Sequence, residues 1–109
     1  MADTLRQGIV ETILDAVATT TVGTAYAIPY TKAGINLGWQ MTFTGAPSGV
    51  STTLQVSIDN SNWATVDTGT NTSGEYRIVG AVIGKWLRAV LGTLTAGTSP
   101  TATCKILVL

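Results

Sequence analysis

The stretch "INLGWQMTF", residues 35 to 43, alternates between large apolar side chains and polar or small ones. The apolar positions are Ile35, Leu37, Trp39, Met41 and Phe43, and the positions between them are Asn36, Gly38, Gln40 and Thr42. Because successive side chains of a β-strand point to opposite faces, this period of two predicts a strand with one buried face and one solvated face.

A second alternating run follows closely. In "TLQVSID" the apolar residues Leu54, Val56 and Ile58 are predicted to point inward, while the polar residues between them point to solvent. The intervening "TGAPSG" is rich in residues that form tight turns. We therefore predict that the two runs pair as an antiparallel hairpin.

Further short runs continue to the end of the chain, separated by stretches rich in Gly, Thr, Ser and Asn. They are "WATV", "EYRIVGAVI", "GKWLRAVLGTL" and "TATCKILVL". About seven or eight short strands bounded by turns predict an all-β fold, an antiparallel β-sandwich of jelly-roll type.

The N-terminal run "LRQGIVETILDAVA" fits two templates. Leu5, Ile9, Ile13 and Val17 are four residues apart, as on one face of a helix. Its β-branched residues and Gly8 favour a strand from about residue 9 to 18. We predict an arm over residues 1–8 and a single sandwich domain over residues 9–109, with Leu5 and Ile9 outside the sandwich; a disordered tail is the alternative for the arm.

The composition constrains the partners. Charged residues make up 11% of the chain and the formal net charge is zero, against about a quarter charged in typical domains. A neutral surface coated with Thr, Ser, Asn and Gly predicts self-association. The six Lys and Arg residues are scattered singly, which argues against a nucleic-acid partner. Glu11 and Asp15 interrupt the N-terminal apolar run, so neither a secretory signal nor a membrane span is expected.

The residue types for common catalytic chemistry are missing or dispersed. The chain has no histidine, its single cysteine is Cys104, and its six acidic residues show no paired spacing. We therefore expect no enzyme activity, no cofactor, no metal site and no intrachain disulfide, with Cys104 as a small core residue. The stretch "DNSN", residues 59 to 62, has oxygen ligands for calcium but too few carboxylates, so a turn is predicted there.

Trp63 directly follows this turn and has two interpretations. It closes the edge of the core, or it forms a stacking platform for a sugar. "SIDNSNWATV" and "GKWLRAVL" resemble discoidin-type and carbohydrate-binding modules, in which a strand, an acidic turn and a tryptophan precede an arginine-containing strand.

A broader resemblance covers the chain from about residue 10 to the end. The segments "ETILDAVATTTVGTAYAI", "LQVSIDNSNWATV" and "KWLRAVLGTLTAGTSPTATCKILV" occur in this order and resemble small β-rich virion proteins of tailed bacteriophages. Asn60 stands where that family usually has Gly, and Asn also tolerates left-handed backbone. The resemblance implies a capsid decoration (cement) protein that binds the major capsid protein in the virion after synthesis in the host cytoplasm. A head-completion or tail subunit is a further alternative.

Two groups of residues are candidates for the partner interface. The first is the arm, represented by Leu5, Arg6 and Ile9. The second is one face of the strand "GKWLRAVLGTL", where Trp86, Arg88 and Val90 alternate with the apolar Leu87, Ala89 and Leu91. Apolar residues on both faces indicate either a central strand or a subunit interface. Arg88 is expected to pair with an acid such as Asp59 or Glu75, or to face a partner. A closed homo-oligomer, with a trimer favoured, fits this role.

Overall fold

The computed structural model describes residues 4–28 and 34–109, and strands dominate these segments. Nine strands follow in chain order: β1 (Val10–Val17), β2 (Thr21–Val22), β3 (Tyr26–Ala27), β4 (Ile35–Thr44), β5 (Gly49–Ser57), β6 (Ala64–Gly69), β7 (Glu75–Val82), β8 (Trp86–Thr95) and β9 (Thr101–Val108). Among the described residues there is no helix long and apolar enough to cross a membrane.

The strands form two antiparallel sheets that pack face to face. One sheet has four strands in the order β1-β9-β4-β7, and the other has the order β2-β8-β5-β6 with β3 also paired to β8. This arrangement confirms the predicted all-β sandwich. The structure has nine strands, whereas seven or eight were predicted. β2 and β3 are only two residues long each, and a strand of this length cannot show an alternating pattern in the sequence.

The predicted hairpin between "INLGWQMTF" and "TLQVSID" is wrong. β4 pairs with β7 and β9, whereas β5 pairs with β6 and β8 in the opposite sheet. Gly45 and Ala46, both at positive φ, turn the chain from one sheet to the other. The two strands therefore face each other across the core, since each needs a cover for its apolar face.

The core lies between the sheets and contains the predicted inward side chains of β4. Trp39 and Leu37 are fully buried, and Leu54, Leu87 and Leu91 meet them from the other sheet. Cys104 on β9 is buried among them as predicted, and this burial raises the pKa of its thiol to about 12. The sandwich is thus held together by a single apolar layer.

The N-terminal region contains the predicted strand, β1, but the arm does not stand apart from the sandwich. The Leu5 N–H donates to the Ala27 carbonyl at 2.8 Å, and the Gly8 N–H donates to the Val108 carbonyl at 2.8 Å. The Leu5 side chain is only 1% exposed and belongs to the core. The expectation that Leu5 lies outside the sandwich is therefore wrong, because its burial removes a large apolar side chain from water.

Candidate functional site

The turn after β5 is built by hydrogen bonds from two side chains. Ser57 Oγ accepts bonds from the backbone N–H groups of Asp59 and Asn60 at 3.2 and 2.9 Å. Asp59 Oδ1 accepts from the N–H groups of Ser61 and Asn62 at 2.9 and 2.8 Å. Asn60 has a φ of 61°, the left-handed conformation expected at this position. The stretch "DNSN" is therefore the predicted turn.

These bonds also lower the pKa of Asp59, and the turn places the Ile58 side chain in solvent. The backbone and side-chain N–H groups of Asn62, followed by the Ser61 N–H, hold the pKa of the Asp59 carboxyl well below its usual range. Ser57 is buried and Ile58 is 79% exposed, so the predicted inward position of Ile58 is wrong. The alternation breaks here because β5 ends at Ser57 and Ile58 already belongs to the turn.

Trp63 and Arg88 stack on the outer face of the five-stranded sheet. The Arg88 guanidinium lies 4.1 Å from the centroid of the Trp63 ring, and its Nε donates to Gln55 Oε1 at 2.9 Å. The expected pairing of Arg88 with an acid is wrong. Gln55 stands directly opposite Arg88 in the β5–β8 register and reaches it first, while Glu75 lies in the other sheet.

A cleft opens beside Trp63. It has a volume of about 280 Å³ and is lined by Val56, Ser57, Ile58, Asn62, Trp63, Ala64 and Ile83. Ile83 is 71% exposed, so two prominent isoleucines and a tryptophan border one concavity. An apolar or aromatic-stacking group would fit this lining.

The cleft belongs to one end of the sandwich, which we call the apolar end and define by Ile9, Ile58, Ile83 and Leu109. All four side chains are exposed, and they lie where β1 begins and where β5, β7 and β9 end. The opposite end consists of loops 18–20, 45–48, 70–74 and 96–100, and its described residues include no exposed large apolar side chain. One end of the molecule therefore suits contact with an apolar surface, and the other suits contact with water.

A second apolar surface crosses the outer face of the four-stranded sheet. Val10 pairs with Leu107, Leu107 with Gly38 and Gly38 with Ile78, so the four residues form one row across all four strands. The Tyr76 side chain lies over Gly38, where a Cβ would overlap it. We call these residues, with Tyr76, the sheet stripe. Sequence reasoning missed the stripe. Tyr76 and Ile78 point to one face of β7 and Val79 points to the other, so both faces of this strand are apolar.

A partly buried polar network joins the two sheets where β6 approaches β7. The indole N–H of Trp39 donates to Asp67 Oδ2 at 2.9 Å, and Arg77 Nε donates to the same oxygen at 2.7 Å. Arg77 Nη1 also donates to Glu75 Oε2 at 3.1 Å. Sequence reasoning missed this network too, although a tryptophan in a buried strand needs an acceptor for its N–H.

The predicted interface residues occupy distinct places. Arg6 and Ile9 are exposed near the apolar end, with Arg6 bonded to Glu11 at 3.5 Å. Trp86, Arg88 and Val90 are half-buried on the outer face of β8, a central strand whose other face is in the core. Ala27 pairs with both Thr4 and Trp86, so the arm is one strand away from Trp86. Their role as an interface stays a prediction.

No group of three or more potential metal ligands occurs among the described residues. Asp59 is bonded within its turn, and Asp67 and Glu75 take part in the Trp39 network. Glu11 pairs with Arg6. The exposed apolar side chains of the apolar end and the sheet stripe suit contact with another molecule through packing.

The fold defines a class, the small antiparallel β-sandwich. A solved structure is similar to this chain over nearly the whole length of the chain. This is the crystal structure of the SPBc2 prophage-derived protein YomS, with a TM-score of 0.64 and 12% sequence identity; the match covers 93% of this chain and 92% of that one. No protein-family model matches the chain, and no curated protein matches it in sequence. At this identity the likeness shows a shared fold.

Proposed function

We propose that this chain is a structural protein of a tailed-bacteriophage virion and that it decorates the capsid by binding the shell of major capsid protein. The observation that carries the proposal is the fold similarity to a prophage-derived protein along nearly all of both chains. The three ordered segments that resemble small phage virion proteins support it independently of the fold. The role is binding and stabilisation, with no catalytic step.

The apolar end supports docking onto a shell. Ile58 and Ile83 are 79% and 71% exposed, and burying such a side chain contributes about 1.5–3 kcal/mol. The opposite, polar end suits contact with water. The protein would therefore stand on the shell by its apolar end, where Arg6 and Ile9 of the predicted interface also lie.

The low charge of the surface fits many identical copies on one particle. A formal net charge of zero lets neighbouring copies approach without mutual repulsion. A modest affinity per copy is multiplied when a closed oligomer makes several contacts with the shell at once.

The test is co-sedimentation of the purified protein with empty shells assembled from the major capsid protein of the same virus. The wild type is expected to sediment with the shells, and Ile58→Lys is expected to bind at least tenfold more weakly, since about 1.4 kcal/mol corresponds to a factor of ten. Val22→Lys is the matched control because Val22 is 60% exposed on β2, away from the apolar end. Failure of the wild type to bind would reject the proposal.

A carbohydrate-binding function is the second candidate, and the cleft beside Trp63 is the observation that favours it. Arg88 covers one face of the Trp63 ring, so a sugar has only the other face for stacking. Binding of the wild type to one member of a polysaccharide panel, abolished in a folded Trp63→Ala variant, would support this function over the capsid role.

A further inference from the structure

We infer that the sheet stripe packs against the same stripe of a second copy and forms a two-fold symmetric dimer. The inference goes beyond the proposed function and does not depend on what the apolar end binds.

The stripe is unusual for a solvated sheet face. An antiparallel sheet in a two-layer fold normally has a polar outer face. Here Val10, Tyr76 and Ile78 are 59%, 58% and 70% exposed, and Leu107 lies between Val10 and Ile78 in one register row. The row from Val10 to Ile78 contains no charged side chain, whereas the neighbouring row on the same face consists of Thr12, Lys105, Gln40 and Tyr76. Continuous apolar surface of this kind marks an interaction site.

The face has both a protrusion and a recess. Ile78 projects from the edge strand β7, and a groove of about 140 Å³ lies beside it on the same face. The groove is lined by Val10, Gly38, Gln40, Tyr76, Lys105, Ile106 and Leu107. A space of about 150 Å³ accommodates a benzene-sized group, so the groove matches the branched side chain of one isoleucine.

This pairing of a protrusion and a recess is self-complementary. In a two-fold interface residue i of one copy contacts residue j of the other, and the reverse contact is made at the same time. Ile78 of each copy would enter the groove of its partner, and both apolar surfaces would be buried. A partner of different structure would have to supply its own protrusion and recess at the same spacing.

The area and the charge of the face also suit a second copy. Four strands of eight to ten residues, at about 4.8 Å between strands and about 3.3 Å per residue, give a face on the order of 500 Å². When the whole face is covered, two copies bury on the order of 1,000 Å² in total, which is the lower bound for a specific interface. The formal net charge of the chain is zero. The exposed Lys105 lines the groove, and a lysine can pack its methylene stem against apolar surface while its ammonium group stays in water.

The two-fold symmetry of the contact distinguishes the inferred dimer from the trimer that the sequence analysis favours. A contact between identical faces joins copies in pairs, whereas a trimer requires two different faces in each contact. The mass in solution, measured by light scattering after size exclusion across a range of concentrations, separates the two states. The wild type is expected to have the mass of a dimer, and a monomer or a trimer would overturn the inference.

Variants then locate the interface. Ile78→Lys is expected to weaken dimerisation at least tenfold, as is Val10→Lys at the opposite edge of the stripe. Gly38→Ala adds a Cβ that displaces the Tyr76 ring lying over this position; it changes the shape of the groove without adding a charge, and it too should weaken the dimer. Val22→Lys, at 60% exposure in the other sheet, should leave the dimer intact. Circular dichroism verifies that each variant is folded, and a folded Ile78→Lys variant that stays dimeric would overturn the inference.

Different substitutions are expected to abolish dimerisation and shell binding. Ile58→Lys is expected to lose shell binding and keep the mass of a dimer, whereas Ile78→Lys is expected to become monomeric while each copy keeps its apolar end. A dimer that does not bind shells would reject only the proposed function. A shell-binding protein that is monomeric at all concentrations would reject only the inference.

Discussion

Asp67→Ala is expected to lower the free energy of unfolding by about 2 kcal/mol. The Asp67 carboxylate accepts the indole N–H of Trp39, which is fully buried and out of reach of water. Leaving such a donor without a partner costs about 1–3 kcal/mol. The lost ion pair with Arg77 adds little, because the Arg77 side chain is 39% exposed and solvent screens the interaction.

The assay is urea unfolding at pH 7, followed by tryptophan fluorescence, with thermal unfolding as a second measurement. A loss of about 2 kcal/mol corresponds to a fall in Tm of about 8 °C for a domain of this size. Asp67→Asn keeps an acceptor oxygen and should cost about half as much. Asp15→Ala removes an exposed carboxylate and serves as the control. A loss below about 0.5 kcal/mol for Asp67→Ala would refute the reasoning.

The same network predicts a pH dependence. Burial alone would raise the pKa of Asp67, but hydrogen bonds from Arg77, Trp39 and the Thr68 N–H outweigh it and lower the pKa. A lowered folded pKa contributes stability above the unfolded value of about 3.9, and this contribution is lost as the pH falls through the folded value. The difference between wild type and Asp67→Asn should therefore shrink below about pH 4. A constant difference down to pH 2 would contradict this assignment.

Three further predictions concern the core and the backbone. Thr52→Val should raise the free energy of unfolding by about 1 kcal/mol in urea titrations, because Thr52 Oγ1 is buried and has no hydrogen-bond partner among the described residues. Gly8→Ala and Gly45→Ala both place a side chain at positive φ, which costs about 1–2 kcal/mol. An added Cβ meets nothing within 4 Å at Gly8 but overlaps the Thr98 carbonyl oxygen at Gly45, so Gly45→Ala should cost at least twice as much in thermal unfolding. The Cys104 thiol should react with an alkylating reagent at pH 8 only as fast as the domain unfolds, because it is buried and its pKa is about 12; immediate labelling would contradict its place in the core.

Much of the fold was accessible from local patterns. The period of two in "INLGWQMTF" identified β4 and its buried face, and the same reasoning located β8 and β9. The turn at residues 59 to 62 was also predictable, because the short side chains of Asp and Asn bond to neighbouring N–H groups and tolerate positive φ. These features depend on the direction of successive side chains and on the φ preferences of single residues, which the sequence states directly.

The candidate surfaces were less accessible. The arm was recognised as a candidate contact, but Leu5 is buried while its neighbours Arg6 and Ile9 are exposed. Trp63 and Arg88 were both noted, yet their stacking depends on the register of β5 with β6 and β8. The sheet stripe combines residues 10, 38, 78 and 107, which meet only through the strand order of one sheet.

By itself, the sequence determined the class of fold, the single apolar core, the near-neutral surface and the faces that most strands bury. Only the tertiary structure decided which strands pair, that β4 and β5 lie in opposite sheets, and that Asp67 accepts the hydrogen bond of the Trp39 indole N–H. The physical reason is that alternation specifies the face of a strand but not its neighbour. Many antiparallel pairings satisfy the same pattern, and the choice among them is made by packing and hydrogen bonds between residues far apart in the chain.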